Sequence, residues 1–168
     1  LEALGFPAPL AESLVLKFIL STGAVTGRQI ADQIRLPYSV ANELLRLMAS
    51  HAINPVGARV LVLGLAFKEN CPDLRNTRVV DVIAEFRSYN AEVHVHDPWV
   101  DAAEAKHEYG LELVAEPQPG SYDAVILAVS HREFLQWGVE RIRGFGKPGS
   151  VLFDVKQVLP RDAVDGRL

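Results

Sequence analysis

From residue 59 onward, short apolar runs alternate with amphipathic stretches, and this alternation constrains the fold more than any other feature. It predicts a series of strands, at residues 60–63, 92–96, 111–114, 122–129 and 150–154. It predicts helices between them, at 79–89, at 102–109 and in one or two turns within 131–145. Such alternation is typical of a parallel sheet with helices on both faces and right-handed crossovers. We therefore predict an α/β fold, with the most apolar strand, 122–129, at its centre and 111–114 at an edge.

The first 50 residues follow a helical pattern instead. We predict a helix around 10–18, a short helix at 27–34 capped by Thr26, a turn at Leu36-Pro37 and a third helix at 39–50. This order is the helix-turn-helix plan, and the segment loosely resembles the winged-helix modules of some bacterial ATPase-like proteins. Its third helix would present one Arg beside one Glu, which favours a packing or interaction role over contact with DNA.

Composition and charge exclude several classes of protein. The chain has 168 residues, 49% of them hydrophobic and 23% charged, with a net charge of −4, so no overall positive field attracts nucleic acid or anionic lipid. The single cysteine, Cys71, rules out an internal disulfide and fits a reducing cytoplasm. No apolar run approaches the roughly 20 residues of a membrane span, and the N-terminus lacks a signal-peptide pattern. We expect a cytoplasmic protein whose start, Leu1, is trimmed or fused.

A turn cluster at 54–57 suggests the seam between two parts. We predict a helical segment at 1–50, a linker at 51–58 and a sheet domain at 59–168. Three clusters of polar and aromatic residues follow predicted strands, at 64–68, 97–99 and 154–156. Ligands of open parallel sheets bind beyond the carboxyl ends of the strands, where all three clusters would lie.

The first cluster lacks the spacing G-x-G-x-x-G, so it offers no close backbone cradle for a dinucleotide. A long loop, 68–76, follows instead and carries Lys68 and Arg75 near the start of a predicted helix. Asn76 or Thr77 would cap that helix. Cations beside a helix N-terminus suit a phosphate group.

Residues 64–77, GLAFKENCPDLRNT, resemble the G-x-x-F-K…D-x-R-x-[ST] signature of UDP-glucose/GDP-mannose dehydrogenases. The sequence of residues 69–76, ENCPDLRN, resembles that of the family branch that acts on UDP-N-acetylhexosamines for surface polysaccharides. Asp97-Pro98, 122–125 and 152–156 match the same family in order and spacing. The resemblance covers about 52–168 and implies a Rossmann-like, UDP-binding C-terminal domain.

The resemblance also implies roles for individual residues. Phe67 and Lys68 would contact the sugar nucleotide, with Lys68 near the ribose or pyrophosphate. Lys156 takes the place of a basic residue that reaches the substrate after the last strand. Arg75 would either contact UDP or brace the loop through Asp73. Simpler readings stay open, with Phe67 as core filler and the two lysines as solvated surface charges.

The family oxidises an alcohol twice with NAD and a cysteine thiohemiacetal. The resemblance places NAD and that cysteine in segments not seen in this sequence, so we expect no catalytic residue here and no cofactor bound by this chain alone. Cys71 lies outside the glycine-rich cysteine motif. His94 and His96 lack a third metal ligand at useful spacing, and His107 and His131 are expected at the surface or at helix caps.

Two alternatives to the UDP-binding reading stay open. One is a helix-turn-helix regulatory module whose Rossmann-like part senses a nucleotide. The other is an engineered chimera without a ligand. The sequence leaves the sugar and a homo-oligomeric state undetermined.

Overall fold

The structure is a computed structural model, and it describes the backbone of residues 27–168 and the side chains from residue 39 onward. Four helices, one 3-10 turn and five strands follow one another in this part of the chain. In order they are α1 (Gly27–Ser50), β1 (Arg59–Leu63), α2 (Val79–Ser88), β2 (Glu92–His96), α3 (Ala102–Tyr109), β3 (Tyr122–Leu127), α4 (Arg132–Arg143), β4 (Gly146–Asp154), the 3-10 turn (Arg161–Ala163) and β5 (Gly166–Arg167).

The strands form one parallel sheet in the order β2-β1-β3-β4-β5. The predicted α/β class is confirmed, and β3 lies at the centre as expected. The chain adds β2 on one side of β1 and all later strands on the other side. The direction of winding therefore reverses between β1 and β3, which is the position where open sheets of this order bind ligands.

Alternate residues of each strand enter two separate cores, as the two-residue period of a strand requires. On one face, side chains such as Val60 and Ile126 pack with helices α1 and α2. On the other face, side chains such as Leu63 and Leu127 pack with α4. Because both faces are covered, the strands read as nearly continuous apolar runs in the sequence.

The predicted turn at Leu36-Pro37 is wrong, because α1 is a single helix of 24 residues that passes through it. Proline disfavours helical geometry in the residue before it and removes one backbone donor, yet its own fixed φ is helical. This local preference of the Leu36-Pro37 pair is outweighed by the helical conformation of the residues on both sides of it. The described residues therefore contain no helix-turn-helix. The predicted helix at 10–18 and the Thr26 cap lie outside them.

The second half of α1 packs on a side face of the sheet domain. Val40, Leu44 and Met48 are buried there, in the same core as the strands. Leu47 lies against the edge strand, where its Cδ1 atom would clash with a Cβ on Gly166. The division at 51–58 into two parts stays a prediction.

Other boundaries differ from the sequence pattern for identifiable reasons. Residues 111–114 form no strand and make only one bridge, between Val95 and Leu113. The last strand is β5, not β4, and two residues are too few for a periodic signal. Asp165 fixes β5 in place by accepting hydrogen bonds from the amide of Leu152 (2.7 Å) and the guanidinium of Arg143 (2.9 Å).

Gly64 ends β1 with a φ of +96°, and a Cβ there would meet Val129 Cβ at 2.5 Å and the Val129 amide nitrogen at 2.8 Å. We expect Gly64→Ala to lower the free energy of unfolding by about 3–5 kcal/mol, from backbone strain and overpacking together. Gly149→Ala is the matched control, since Gly149 has φ +79° and open space around it. It should cost only about 1–2 kcal/mol. Urea unfolding measures both, and equal losses would contradict the packing argument.

Candidate functional site

The carboxyl ends of β1 and β2 are joined through the side chain of Asp97. Its Oδ2 atom accepts hydrogen bonds from the backbone amides of Leu65 (2.6 Å) and Ala66 (2.9 Å), directly after β1. Its Oδ1 atom accepts from the amides of Trp99 (2.8 Å) and Val100 (3.2 Å). One carboxylate therefore shapes two loops at the same edge of the sheet.

The charge of Asp97 is stabilised although the side chain is buried. Burial by itself raises the pKa of this carboxyl group, since it disfavours the charged form. Hydrogen bonds from His131 and from the surrounding amides outweigh burial and bring the pKa to about 2, from an ordinary 3.8. Asp97 is thus an anion at neutral pH, with its charge shared among five donors.

His131 completes this arrangement from the end of β3. It was expected at the surface or at a helix cap. It does occupy the N-cap position of α4, yet its side chain is fully buried and makes no capping bond, so the expectation of a surface side chain is wrong. Its Nε2 atom lies 3.0 Å from Asp97 Oδ2, and its Nδ1 atom accepts from the amide of Asn70 at 2.9 Å. An accepting Nδ1 and a donating Nε2 identify the neutral ring with hydrogen on Nε2.

Asn70 attaches the long loop after β1 to the start of α4. Besides the amide bond to His131, its Oδ1 atom accepts from the amide of Arg132 at 2.9 Å. Asn70 has a φ of +54°, a left-handed conformation that asparagine tolerates better than most residues. The loop is also closed on itself by a bond from the Phe67 amide to the Asp73 carbonyl oxygen at 2.8 Å. The segment that carries Phe67 and Lys68 is therefore held at both ends.

Lys156 reaches the same loop from the end of β4. Its Nζ atom lies 2.6 Å from Glu69 Oε1. The same carboxylate oxygen accepts from the Ser130 hydroxyl at 3.3 Å. Asp154 orders the Lys156 segment, because its two oxygens accept from the amides of Lys156 (3.0 Å) and Leu159 (2.7 Å). The ends of β1, β3 and β4 thus meet around the Glu69–Lys156 pair.

The structure places three of the four predicted site residues at this edge with exposed side chains. Phe67 is 56% exposed, so the reading of Phe67 as core filler is wrong. Lys68 is exposed and makes no ion pair with any residue of 39–168. Lys156 lies beside them through Glu69. All three lie near the point between β1 and β3 where the winding reverses.

Arg75 is directed to another partner. Its Nε and Nη2 atoms form a two-point contact with the carboxylate of Asp73, at 3.0 and 2.9 Å. Arg75 lowers the pKa of Asp73 to about 2, with both groups near the surface. This is the loop-bracing arrangement that the sequence left open as the alternative to UDP contact. Thr77 also supports the loop, because its hydroxyl donates to the Leu65 carbonyl oxygen at 2.6 Å.

The edge does not fit the pyrophosphate of a dinucleotide in the usual manner. In a dinucleotide-binding turn, free amides after the first strand face the pyrophosphate. Here the amides of Leu65 and Ala66 are occupied by the Asp97 carboxylate. An anion brought to them would meet a fixed negative charge. The observed geometry therefore provides no site for NAD after β1.

A separate cleft of about 610 Å³ lies between α4 and residues 115–119. Trp137 on its wall is already surrounded, by the ring of His96 (5.6 Å between centroids), the guanidinium of Arg141 (4.4 Å), Phe134 and Phe145. Little ring surface remains for a base to stack on. Trp99 is likewise engaged, since its Nε1 donates to Glu133 at 2.9 Å. Both tryptophans near this cleft are thus already engaged in contacts within the chain.

Neither a metal centre nor a membrane helix is found among the described residues. No group of three or more potential ligands that could hold a metal ion is present in 39–168. His94 instead contacts Tyr122 and Glu92. Within residues 27–168, every helix is too short or too polar to cross a membrane. Cys71 is half-buried, and no residue of 39–168 hydrogen bonds to its sulfur.

Comparison with known proteins agrees with this geometry. Residues 61–161 match the family described as the UDP-glucose/GDP-mannose dehydrogenase family, UDP binding domain. The chain belongs to this family. The matched residues include Phe67, Lys68 and Lys156. The family membership expected from residues 64–77 is confirmed.

Individual relatives agree with the expected branch of the family. The chain is 52% identical to the UDP-N-acetyl-D-glucosamine 6-dehydrogenase of Pseudomonas aeruginosa over 144 residues, which are 86% of this chain and 34% of that protein. It is 47% identical to the enzyme of the same name from Salmonella typhi, over 86% of this chain and 33% of that protein. The chain therefore spans about a third of the length of these relatives.

A solved structure supports the fold. The UDP-D-ManNAc dehydrogenase of Pyrococcus horikoshii superposes with a TM-score of 0.66 and 23% identity, over 89% of this chain and 35% of that one. At this identity the likeness establishes the Rossmann-like family fold and no more.

Replacing Asp97 tests whether its charge organises the site. Asparagine has one accepting oxygen, and its amide group would face N–H donors that the carboxylate now satisfies. We expect Asp97→Asn to lower the free energy of unfolding by about 3–5 kcal/mol. Asp101→Asn is the control, because Asp101 only caps α3 through the Glu104 amide and asparagine caps equally well. Urea unfolding near pH 7 should show a change within about 0.5 kcal/mol for the control. Similar losses in both variants would contradict the account.

The depressed pKa of Asp97 makes its contribution depend on pH. Because the folded pKa of about 2 lies below the ordinary 3.8, the stabilisation is complete above about pH 4 and is lost as the pH falls towards 2. About 2 kcal/mol of the difference between the unaltered chain and Asp97→Asn should disappear over this window. Urea midpoints measured at intervals from pH 5 to pH 2 check this. A difference that stays constant would show that Asp97 is not held as an anion.

Proposed function

We propose that the carboxyl edge of this domain binds the UDP part of a UDP-sugar, within an NAD-dependent UDP-sugar 6-dehydrogenase. The observation that carries the proposal is that Lys156, after β4, pairs with Glu69 on the loop that presents Phe67 and Lys68 after β1. The relatives named for UDP-N-acetyl-D-glucosamine support a UDP-N-acetylhexosamine as the sugar nucleotide. The oxidised UDP-sugar that such an enzyme releases would serve polysaccharide synthesis in the cytoplasm.

Each side chain has a separate role in the proposed site. Lys68 has a charge that no residue of 39–168 neutralises by direct pairing, and we assign it to the phosphates. Phe67 offers an exposed ring, which we assign to the nucleoside because an apolar surface there suits a base or a ribose face. Lys156 supplies the second positive charge from across the end of β3. We assign Arg75 to the loop rather than to UDP.

We assign the oxidation of the sugar to other parts of the full-length enzyme. NAD would accept the hydride there, and the residues described in this chain contribute binding and orientation of the nucleotide. Asp97 and His131 hold the loop, and Asn70 fixes it against α4. A homo-oligomeric state stays a prediction. Nucleic acid is not proposed as a partner, since the net charge is −4 and α1 is continuous.

Isothermal titration calorimetry with UDP tests the proposal directly. We expect saturable binding to the unaltered chain and weaker binding of uridine, because the lysines contact only phosphate. Lys68→Ala and Lys156→Ala should each weaken UDP binding about tenfold, as expected for the loss of one charged hydrogen bond.

Lys147→Ala is the matched control for the two lysine variants. The Lys147 side chain is 43% exposed and pairs with Asp123 at 2.8 Å, at the opposite end of the sheet from Lys156, which is 38% exposed. UDP affinity should change less than twofold in this variant. Absence of UDP binding at millimolar concentration would overturn the proposal. Equal weakening in all three variants would remove the assigned site.

A further inference from the structure

Lys156 is the one assigned UDP contact that already has an anionic partner. Its ammonium lies 2.6 Å from Glu69 Oε1, and the two side chains are 38% and 35% exposed. Ser130 donates to the same oxygen from the end of β3. The Lys156 ammonium, by hydrogen bond and charge, lowers the pKa of Glu69, so this carboxylate is charged at neutral pH. A negative group thus occupies the position beside Lys156 that a phosphate would take.

Glu69 is also held at this position by its neighbours. Asn70, the next residue, is fixed by its bonds to the buried His131 and to the Arg132 amide. Lys156 is fixed from the other side, through the bond from its amide to Asp154. The backbone beside both members of the pair is therefore held in place, and Ser130 adds a bond to the Glu69 side chain. A ligand phosphate must displace the Glu69 carboxylate or bind next to it, and both cost affinity through lost pairing or like-charge repulsion.

We propose that Glu69 is an internal competitor for the phosphate site. Its carboxylate pairs with Lys156 in the free domain and thereby weakens binding of the UDP diphosphate. This inference rests on the proposed function and adds a residue to its site. When UDP binds, a phosphate oxygen replaces Glu69 at the Lys156 ammonium, and Glu69 retains Ser130 as its donor. When UDP leaves, the carboxylate returns. Glu69 thus sets the affinity and the rate of release by competing for Lys156 rather than by binding the ligand.

The opposite role would follow from the same pair if Glu69 only orients Lys156 for the ligand. The two roles differ in the sign of one measurement. If Glu69 competes with the ligand, removing its charge tightens UDP binding. If Glu69 orients Lys156 for the ligand, removing its charge weakens UDP binding. Glu69→Gln keeps the size of the side chain and a donor and acceptor for Ser130 while removing the charge.

Titration calorimetry of UDP into Glu69→Gln and the unaltered chain, at the same pH and salt, tests the proposal. We expect the variant to bind UDP about fivefold more tightly, the amount that a half-exposed ion pair allows. Inorganic pyrophosphate should gain a similar factor, since the gain concerns phosphate alone. Uridine should bind equally to both proteins. Stopped-flow displacement should show that most of the gain lies in slower release.

Glu112→Gln is the control for the change in net charge. Glu112 forms an exposed pair with Lys106 at 2.8 Å, on α3 and the segment after it. Its replacement should leave UDP affinity within twofold of the unaltered chain.

The outcomes separate the two proposals. If the unaltered chain binds UDP and Glu69→Gln binds it equally or more weakly, the competitor role is overturned and UDP binding stands. If Glu112→Gln tightens binding as much as Glu69→Gln, the effect comes from net charge and the competitor role is again overturned. If the unaltered chain binds no UDP, both proposals fail.

Discussion

The carboxylate of Asp97 is the interaction on which the candidate site depends. It accepts hydrogen bonds from the amides of Leu65 and Ala66 after β1, from two amides of its own loop, and from His131 after β3. Three strand ends are thereby joined at one buried negative charge. Such a charge costs several kcal/mol unless it is fully hydrogen bonded, so the surrounding donors and the charge require each other.

This arrangement determines what the edge of the sheet binds. Amides that would cradle a dinucleotide in other sheets are occupied here, so our proposal assigns recognition of the UDP phosphates to side chains on the loops. Lys68 lies on the loop that Asn70 and His131 hold, and Lys156 lies on the loop that Asp154 orders. Under this proposal, two lysines on the loops take the place of the glycine-rich turn that binds phosphates in other Rossmann-like folds. The part of the family that this chain matches is described as the UDP binding domain.

The sequence predicts the parts of this structure that depend on local pattern. Apolar runs locate β1 to β4, because burial on both faces requires them, and Asp101 and Gly110 mark the ends of α3 as expected. It does not reveal the bonds that organise the site. Asp97 and His131 are 34 residues apart, and no spacing rule connects them. The continuity of α1 between the two predicted helices was missed for a different reason, since Pro37 gives a local turn signal that the continuous helix overrides.

The central claim is that UDP binds where the ends of β1, β3 and β4 meet. Amide chemical shifts of the ¹⁵N-labelled chain, followed by NMR during a UDP titration, test it most directly. The account predicts the largest changes at residues 65–71, 129–131 and 155–157. It predicts small changes along the wall of the separate cleft, at residues 115–118 and 137–145. Changes concentrated in the cleft, with the strand ends unaffected, would contradict it.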